Sequence, residues 1–196
     1  ECLRIFGFFA PPRSCGAGRA AECGVPPFAT DAGGAPTEFF VSTTSLFDPA
    51  FAATDPRRYL DARNVPHFVL PGGESGPFGT RHGVRLGDLA LIVQGNRGVF
   101  AVFGDGGPAG KLGEASPAVL TRLAGAPDVT NRLPSAITAG VTTVLFAGSR
   151  SALAEMPPRS ARVIAEAGQR ALAAAGGLPA FAGCLGLNNE VVIIGE

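Results

Sequence analysis

The segment that most constrains the fold is a pair of apolar runs, "DLALIVQ" (88–94) and "GVFAVFG" (98–104), which are separated by a short polar stretch. Both runs contain β-branched or aromatic residues, which favour strands, and the stretch between them carries glycine and asparagine, which favour a tight turn. The two runs therefore predict a β-hairpin. Four further runs of the same kind predict strands at 38–44, 65–71, 141–148 and 189–196.

Two helices are predicted after most of these strands. In "SPAVLTRLAG" (116–125), Ser116 takes the capping position, Pro117 falls in the first turn and Gly125 ends the helix. The second helix is predicted in the segment 157–177, where apolar residues recur at helical spacing before a Gly-Gly pair. These apolar positions are Val163, Ile164, Ala167, Ala171, Ala174 and Ala175. Strands followed by late helices predict a mainly β (α+β) domain centred on a β-barrel with flanking helices.

Composition indicates a folded chain and argues against some classes of partner. Of the 196 residues, 46% are hydrophobic and 16% are charged, which argues against disorder. The net charge is zero and the arginines are scattered, so we expect no nucleic-acid partner. No run of 18 apolar residues is present, so we expect no membrane span. The Gly/Pro-rich composition of residues 1–38 predicts an irregular N-terminal extension packed on the domain. We expect residues 39–196 to form the main domain.

The four cysteines, Cys2, Cys15, Cys23 and Cys184, match no zinc-binding template, and no His/Cys/Asp cluster has ligand spacing. We therefore expect no metal. An even number of cysteines favours disulfides and an oxidising compartment, with four free thiols as the alternative. Three pairings are possible, and Cys15 with Cys23 is favoured because it closes a small loop. A chain that starts at Glu1 without methionine is compatible with a removed leader, so we expect an extracellular, secreted protein.

Two carboxylates are placed at the two ends of a glycine-rich loop. Asp105 follows the second run of the hairpin, and Glu114 lies nine positions later, each directly after a glycine. Glycosidic bond hydrolysis needs one carboxylic acid to protonate the leaving oxygen and a second carboxylate to activate water or attack the sugar. The alternative is that both are ordinary turn residues, since Asp-Gly is a common turn pair.

The segment "VFAVFGDGGPAGKLGEASPAVLTRL" resembles the active-site segment of the family 75 glycoside hydrolases, the chitosanases found in fungi and bacteria. In that family a hydrophobic strand ends in Gly-Asp, a short loop follows, and Gly-Glu-Ala-Ser opens a helix. The segments "YLDARNVPHFVLPG", "LGDLALIVQGNRGVFAVFGD" and "VTTVLFAGSRSALAEMPP" resemble other parts of the family in the same order. The resemblance covers roughly residues 39–175. The family's Asp-rich upstream run is absent here.

This resemblance implies an endo-chitosanase that cleaves β-1,4 bonds of chitosan or chito-oligosaccharides with inversion and without a cofactor. The family's two essential carboxylates correspond to Asp105 and Glu114. We assign Glu114 as the general acid and Asp105 as the general base; the reverse order and Asp48 as the base are the alternatives. We expect a monomer. The competing class is a non-catalytic polysaccharide-binding barrel of expansin type.

A second resemblance lies in "STTSLFD" (42–48), which is similar to a Thr-Thr…Asp strand of the family 45 endoglucanases. Those enzymes have a double-psi β-barrel, and the family 75 resemblance implies the same six-stranded architecture. Thr43, Thr44 and Asp48 are therefore candidates for substrate binding, together with Tyr59 and Asp61. For Asp48 the alternative is a turn cap before Pro49.

Overall fold

The computed structural model describes residues 4–5, 8–9, 28–30, 36–125, 137, 139–185 and 191–195, with side chains from residue 41 onward except at positions 182, 184 and 185. The strands are β1 (Arg4–Ile5), β2 (Phe8–Phe9), β3 (Phe28–Thr30), β4 (Pro36–Val41), β5 (His67–Pro71), β6 (Leu89–Gln94), β7 (Arg97–Gly107), β8 (Val141–Phe146) and β9 (Val192–Ile194). The α-helices are α1 (Pro77–His82), α2 (Pro117–Ala124), α3 (Ala161–Ala174) and α4 (Gly177–Leu185).

The strands form two sheets. Four short antiparallel strands are ordered β1-β2-β4-β3, and the five-stranded sheet is ordered β5-β7-β6-β8 with β9 also paired to β7. In the larger sheet β5 and β9 run parallel to β7, whereas β6 is antiparallel to both β7 and β8. The protein is therefore a mixed α/β protein, and this sheet is not closed into a barrel among the described residues.

The six strands predicted from apolar runs correspond to β4 through β9. The predicted hairpin is confirmed, because Gln94 pairs with Arg97 across a two-residue turn in which Gly95 has a φ of +57°. Sequence patterns did not predict β1, β2 and β3, which lie in the segment 1–38 that we expected to be irregular. Strand β4 also crosses the expected boundary at residues 38 and 39, and the division into extension and domain stays a prediction.

Both faces of the β6–β7 hairpin are buried, which explains why its two runs are apolar throughout and do not alternate. One face packs against α3; its buried residues include Leu89, Leu91, Val93, Phe100, Val102, Ile164, Ala167 and Leu172. The other face packs against α2; its buried residues include Ala90, Ile92, Val99, Ala101, Phe103, Val119 and Leu123. The hairpin is therefore the central layer between two helices.

The two predicted helices are present, with differences at their starts. Helix α3 begins at Ala161 because Ser160 caps it, its hydroxyl accepting a hydrogen bond from the Val163 N–H. Ser116 precedes α2 as predicted, but its hydroxyl makes no capping bond. It donates instead to the Val65 carbonyl and accepts from the His67 N–H, so it ties α2 to β5. The helices α1 and α4 were not predicted.

The disulfide prediction falls outside the described structure. Cys2, Cys15 and Cys23 lie in undescribed segments, and Cys184 belongs to α4 with a side chain that is not described.

We expect Gly168→Ala in α3 to lower the free energy of unfolding by about 1–3 kcal/mol, because overpacking forces shifts in a close-packed core. A Cβ at this position would lie 2.3 Å from Cγ and Cδ1 of Phe100 on β7. Urea unfolding followed by circular dichroism measures the change. Gly183→Ala in α4 is the matched control, because its added Cβ has nothing within 4 Å. A Gly168→Ala protein as stable as this control would contradict the packing of α3 on β7.

Candidate active site

Asp105 reaches its position because β7 contains an irregularity just before it. On β5, Phe68 pairs with Phe103, but the next residue, Val69, pairs with Asp105, so Gly104 is an extra residue in β7. Side chains alternate between faces along a strand, and an inserted residue reverses the faces that follow. Phe103 therefore faces α2, whereas Asp105 shares the opposite face of the sheet with Val69.

The space around Gly104 is too small for a larger residue without a shift of its neighbours. A Cβ built on it would lie 2.7 Å from Leu60 Cδ1 and 2.9 Å from His67 Cβ. Any larger residue would therefore push β7 away from the loop that covers it, and the Asp105 carboxylate would move with the strand.

Glu114 is held on the other edge of β5. The Val69 N–H donates to the Glu114 carbonyl at 2.9 Å, and the Ser116 N–H donates to the His67 carbonyl at 2.8 Å. Between these bonds Phe68 and Ala115 form an antiparallel bridge. Glu114 therefore lies opposite Val69 on one edge of β5, and Asp105 lies opposite Val69 on the other edge.

The result is a row of three residues, Asp105, Val69 and Glu114, on one face of three neighbouring backbones. Neighbouring strands lie about 4.8 Å apart, so two spacings put the backbones of the two acidic residues roughly 9.6 Å apart. A Cβ added to Gly107 would lie 2.9 Å from Val69 Cγ1 and 3.6 Å from Glu114 Oε2. The Glu114 carboxylate therefore lies near β7, and Gly107 leaves room for it beside Val69.

The Asp105 carboxylate is oriented by donors on one oxygen. Oδ1 accepts from the Ser45 N–H at 2.9 Å, the Ser45 hydroxyl at 2.6 Å and the Gly106 N–H at 2.8 Å. Backbone N–H groups can only donate, so this arrangement suits a carboxylate that acts as an acceptor. Among the described residues no hydrogen-bond donor contacts Oδ2, which leaves that oxygen for a water or a substrate.

Glu114 has a cationic partner on the same loop. The Lys111 ammonium lies 2.9 Å from Glu114 Oε2, and the side chains are 52% and 32% exposed. Lys111 is placed by the turn in which its N–H donates to the Pro108 carbonyl at 3.0 Å. Exposed pairs of this kind contribute about 0–1 kcal/mol to stability, so the contact matters for the charge beside Glu114 more than for folding.

His67 lies on the same face of β5, two residues before Val69, and is buried. Its Nδ1 lies 3.1 Å from the Val65 carbonyl, so the bond requires a proton on Nδ1. Burial lowers the pKa of His67 below its ordinary value of 6.5, while the Val65 carbonyl and the negative charges of Asp105, Asp61 and Glu114 act in the opposite direction. His67 is therefore neutral beneath the two carboxylates at neutral pH.

The threonines predicted to bind substrate have different positions. Thr43 is exposed, whereas Thr44 is buried; its hydroxyl donates to the Leu46 carbonyl at 2.7 Å and accepts from the Leu60 N–H at 3.1 Å. With both roles filled inside the protein, Thr44 holds the loop and offers nothing to a sugar in this conformation. The neighbouring Ser45, which the sequence analysis did not select, is the residue that contacts Asp105.

The other three candidates, Asp48, Tyr59 and Asp61, line one cavity of about 490 Å³. Asp48 accepts from the Ala50 N–H with Oδ1 and pairs with Arg159 through Oδ2 at 2.6 Å. Asp48 is thus a turn cap, the alternative recognised in the sequence, and it also closes an ion pair. Both of its oxygens already accept from donors within the protein, which makes Asp48 a poor general base.

Asp61 and Tyr59 are also engaged within the protein. Asp61 accepts from Arg63 and from the Asn64 amide, and the Tyr59 hydroxyl donates to the Ala53 carbonyl at 2.9 Å. Three arginines, Arg57, Arg63 and Arg159, share the cavity wall with them. The charges of Asp48 and Asp61 are therefore compensated in place, and contact of these residues with substrate stays a prediction.

A second cavity of about 630 Å³ adjoins Glu114. Most of its wall is apolar and comes from β5, α2 and the residues around β8, including Phe68, Leu70, Leu123 and Leu145. Leu112, which is 73% exposed, also lies in this wall. Glu114 therefore lies between the polar face that carries Asp105 and an apolar surface.

Within the described residues no group of three His, Cys, Asp or Glu side chains could hold a metal ion. No helix in that part of the chain is long and apolar enough to cross a membrane. No protein-family model matches the sequence, and a search of curated proteins finds no match.

We expect the free energy of unfolding to fall as the pH drops below 6.5, because the unfolded chain binds a proton at His67 that the folded protein resists. The stability that the protein gains by keeping His67 neutral is fully present above pH 6.5. It is lost as the pH falls toward the lower pKa of His67 in the folded protein, at up to about 1.4 kcal/mol per pH unit. Denaturant unfolding from roughly pH 5.5 to 7.5 measures this slope.

In the same experiment His67→Gln should lack this contribution. His82→Gln, which removes the other and exposed histidine, should keep it. Equal slopes for wild type and His67→Gln would show that His67 is not held neutral by burial.

Proposed function

We propose that the protein is a glycoside hydrolase that cleaves β-1,4 bonds of chitosan, with Asp105 and Glu114 as its two catalytic carboxylates. The observation that carries the proposal is that both residues flank Val69 on one face of the sheet, about two strand spacings apart, with Gly107 leaving room for the Glu114 carboxylate. Two carboxyl groups facing each other across such a gap are what hydrolysis of a glycosidic bond requires. The family 75 resemblance of this segment supplies the substrate.

The family 75 resemblance implies inversion. Inverting enzymes hold their carboxyl groups about 6.5–9.5 Å apart to admit a water, whereas retaining enzymes hold them about 5–5.5 Å apart. The backbones at Asp105 and Glu114 lie roughly 9.6 Å apart across β5, and we propose that their carboxyl groups hold a water between them.

The hydrogen-bond partners of Asp105 support its assigned role. Asp105 is oriented through Oδ1 by Ser45 and Gly106, and its Oδ2 would take a proton from the attacking water. Glu114 is half-buried beside an apolar cavity and would donate a proton to the leaving oxygen. Asp48 is a poorer base because Ala50 and Arg159 occupy its oxygens.

The wider expectations are part of the same proposal: a secreted, monomeric endo-chitosanase that needs no cofactor. The family resemblance also implies a closed six-stranded double-psi-like barrel. The open five-stranded sheet does not provide that closure. The chemistry does not depend on it, because the site is built by β5, β7 and the segment 114–116.

We expect Asp105→Asn and Glu114→Gln each to reduce the turnover of soluble chitosan by about 10² or more, since positioned acid–base groups contribute that much. An Asn at 105 keeps an oxygen for the donors of Ser45 and Gly106, so the melting temperature should change little. Release of reducing ends measures turnover. Glu166→Gln, at an exposed helical ion pair, is the control and should remain active. Near-normal turnover in either site variant would show that the two residues are not the catalytic pair.

The wild type also tests the expansin-type alternative. A wild type that binds chitosan without releasing reducing ends would favour that alternative.

We expect the first product to be the α-anomer, because a β-linked polymer cleaved with inversion yields that configuration. Proton NMR of the product in the first minutes, before mutarotation, distinguishes the anomers. An initial β-anomer would require a covalent intermediate and would contradict the role of Asp105 as a general base.

A further inference from the structure

Lys111 places a positive charge on the proposed acid. Its ammonium lies 2.9 Å from Glu114 Oε2, at the tip of a turn between two glycines, Gly110 and Gly113. A Cβ added to either glycine would have nothing within 4 Å, so the turn is open to solvent on both sides. Lys111 is also the only lysine in the sequence. A sugar that reaches Glu114 therefore meets this ammonium.

The charge of Lys111 discriminates between the two sugars of chitosan. A glucosamine unit carries an ammonium at mildly acidic pH, and an N-acetylglucosamine unit is neutral. Like charges at contact distance repel, and the repulsion is stronger near a protein surface than in bulk water. A glucosamine ammonium that approaches Oε2 of Glu114 does so against Lys111 or by displacing it. Both routes oppose the charged sugar.

The residue beside Lys111 favours the neutral sugar. Leu112 is 73% exposed and lies in the apolar wall that adjoins Glu114. The methyl group of an acetamide can cover this side chain and remove apolar surface from water, which an ammonium cannot do. Two neighbouring residues thus select in the same direction, one by repulsion and one by contact.

We propose that Lys111 is a specificity-determining residue that disfavours glucosamine, and so selects N-acetylglucosamine, for the sugar that binds beside Glu114. The inference rests on the proposed function. It predicts that cleavage of partly acetylated chitosan concentrates at bonds where one fixed flanking sugar is acetylated.

The experiment compares wild type, Lys111→Gln and Lys111→Arg on partly acetylated chitosan at mildly acidic pH. Mass-spectrometric sequencing of the products gives the acetylation of the sugars on both sides of each cleaved bond. We expect Lys111→Gln to increase the share of glucosamine at the selected position by about 3–10-fold, since one exposed charge contact is removed. Lys111→Arg keeps the charge and should retain the wild-type pattern.

The sole lysine allows the same comparison without mutation. Acetylation of the protein's amines removes the charges of Lys111 and the N-terminus, whereas reductive dimethylation modifies the same amines and keeps both charges. Acetylated protein should reproduce the Lys111→Gln pattern and dimethylated protein the wild-type pattern.

The outcomes separate the two proposals. Cleavage by the wild type with the same product pattern in Lys111→Gln overturns the role of Lys111 and leaves the proposed function intact. A wild type that releases no products from any chitosan overturns the proposed function, and the specificity role falls with it.

Discussion

The pairing of β5 on both of its edges is the constraint on which the candidate site depends. Val69 lies between β7 and the segment 114–116, and main-chain contacts on each side fix one acidic residue opposite it. The two carboxylates are nine positions apart in sequence, yet the chain between them does not set their separation. A third strand, from residues about forty positions earlier, sets it. Any change that loosens β5 therefore alters the spacing of the acids even if both residues remain.

Local patterns were sufficient for β4 through β9 and for the helices α2 and α3. The β6–β7 hairpin was predictable because strand propensity, a tight turn and apolar composition all agree within one short segment. Whether the sheet closes into a barrel was not predictable from the sequence. Closure depends on which strand edges meet in space, and a list of strands does not contain that information. The start of α2 shows the same limit, since Ser116 has the sequence of a capping residue but uses its hydroxyl to bond β5.

The acidic pair could be selected from the sequence by its spacing and by a resemblance, but its partners could not. Ser45 bonds Asp105 across sixty positions of sequence, and the threonines beside Ser45 were the more conspicuous candidates. His67 gave no signal because a single histidine in an apolar strand is more often a core residue. Lys111 is the only lysine and lies three positions before Glu114, but its contact with the acid depends on the turn between them and is visible only in the structure.

The loop that joins Asp105 and Glu114 is held at both ends by backbone hydrogen bonds to the segment that contains β5. Gly107 accepts a hydrogen bond from the Gly72 N–H at 2.8 Å at one end, and Glu114 accepts one from Val69 at the other. The entropic cost of holding the two ends of a loop together rises only slowly with loop length. Residues inserted between these two ends therefore cost little stability. The segment 108–113 can therefore lengthen or change its charge during evolution while the hydrophobic core and the two acids stay in place. The charge beside Glu114 and the stability of the fold can in this way change independently of each other.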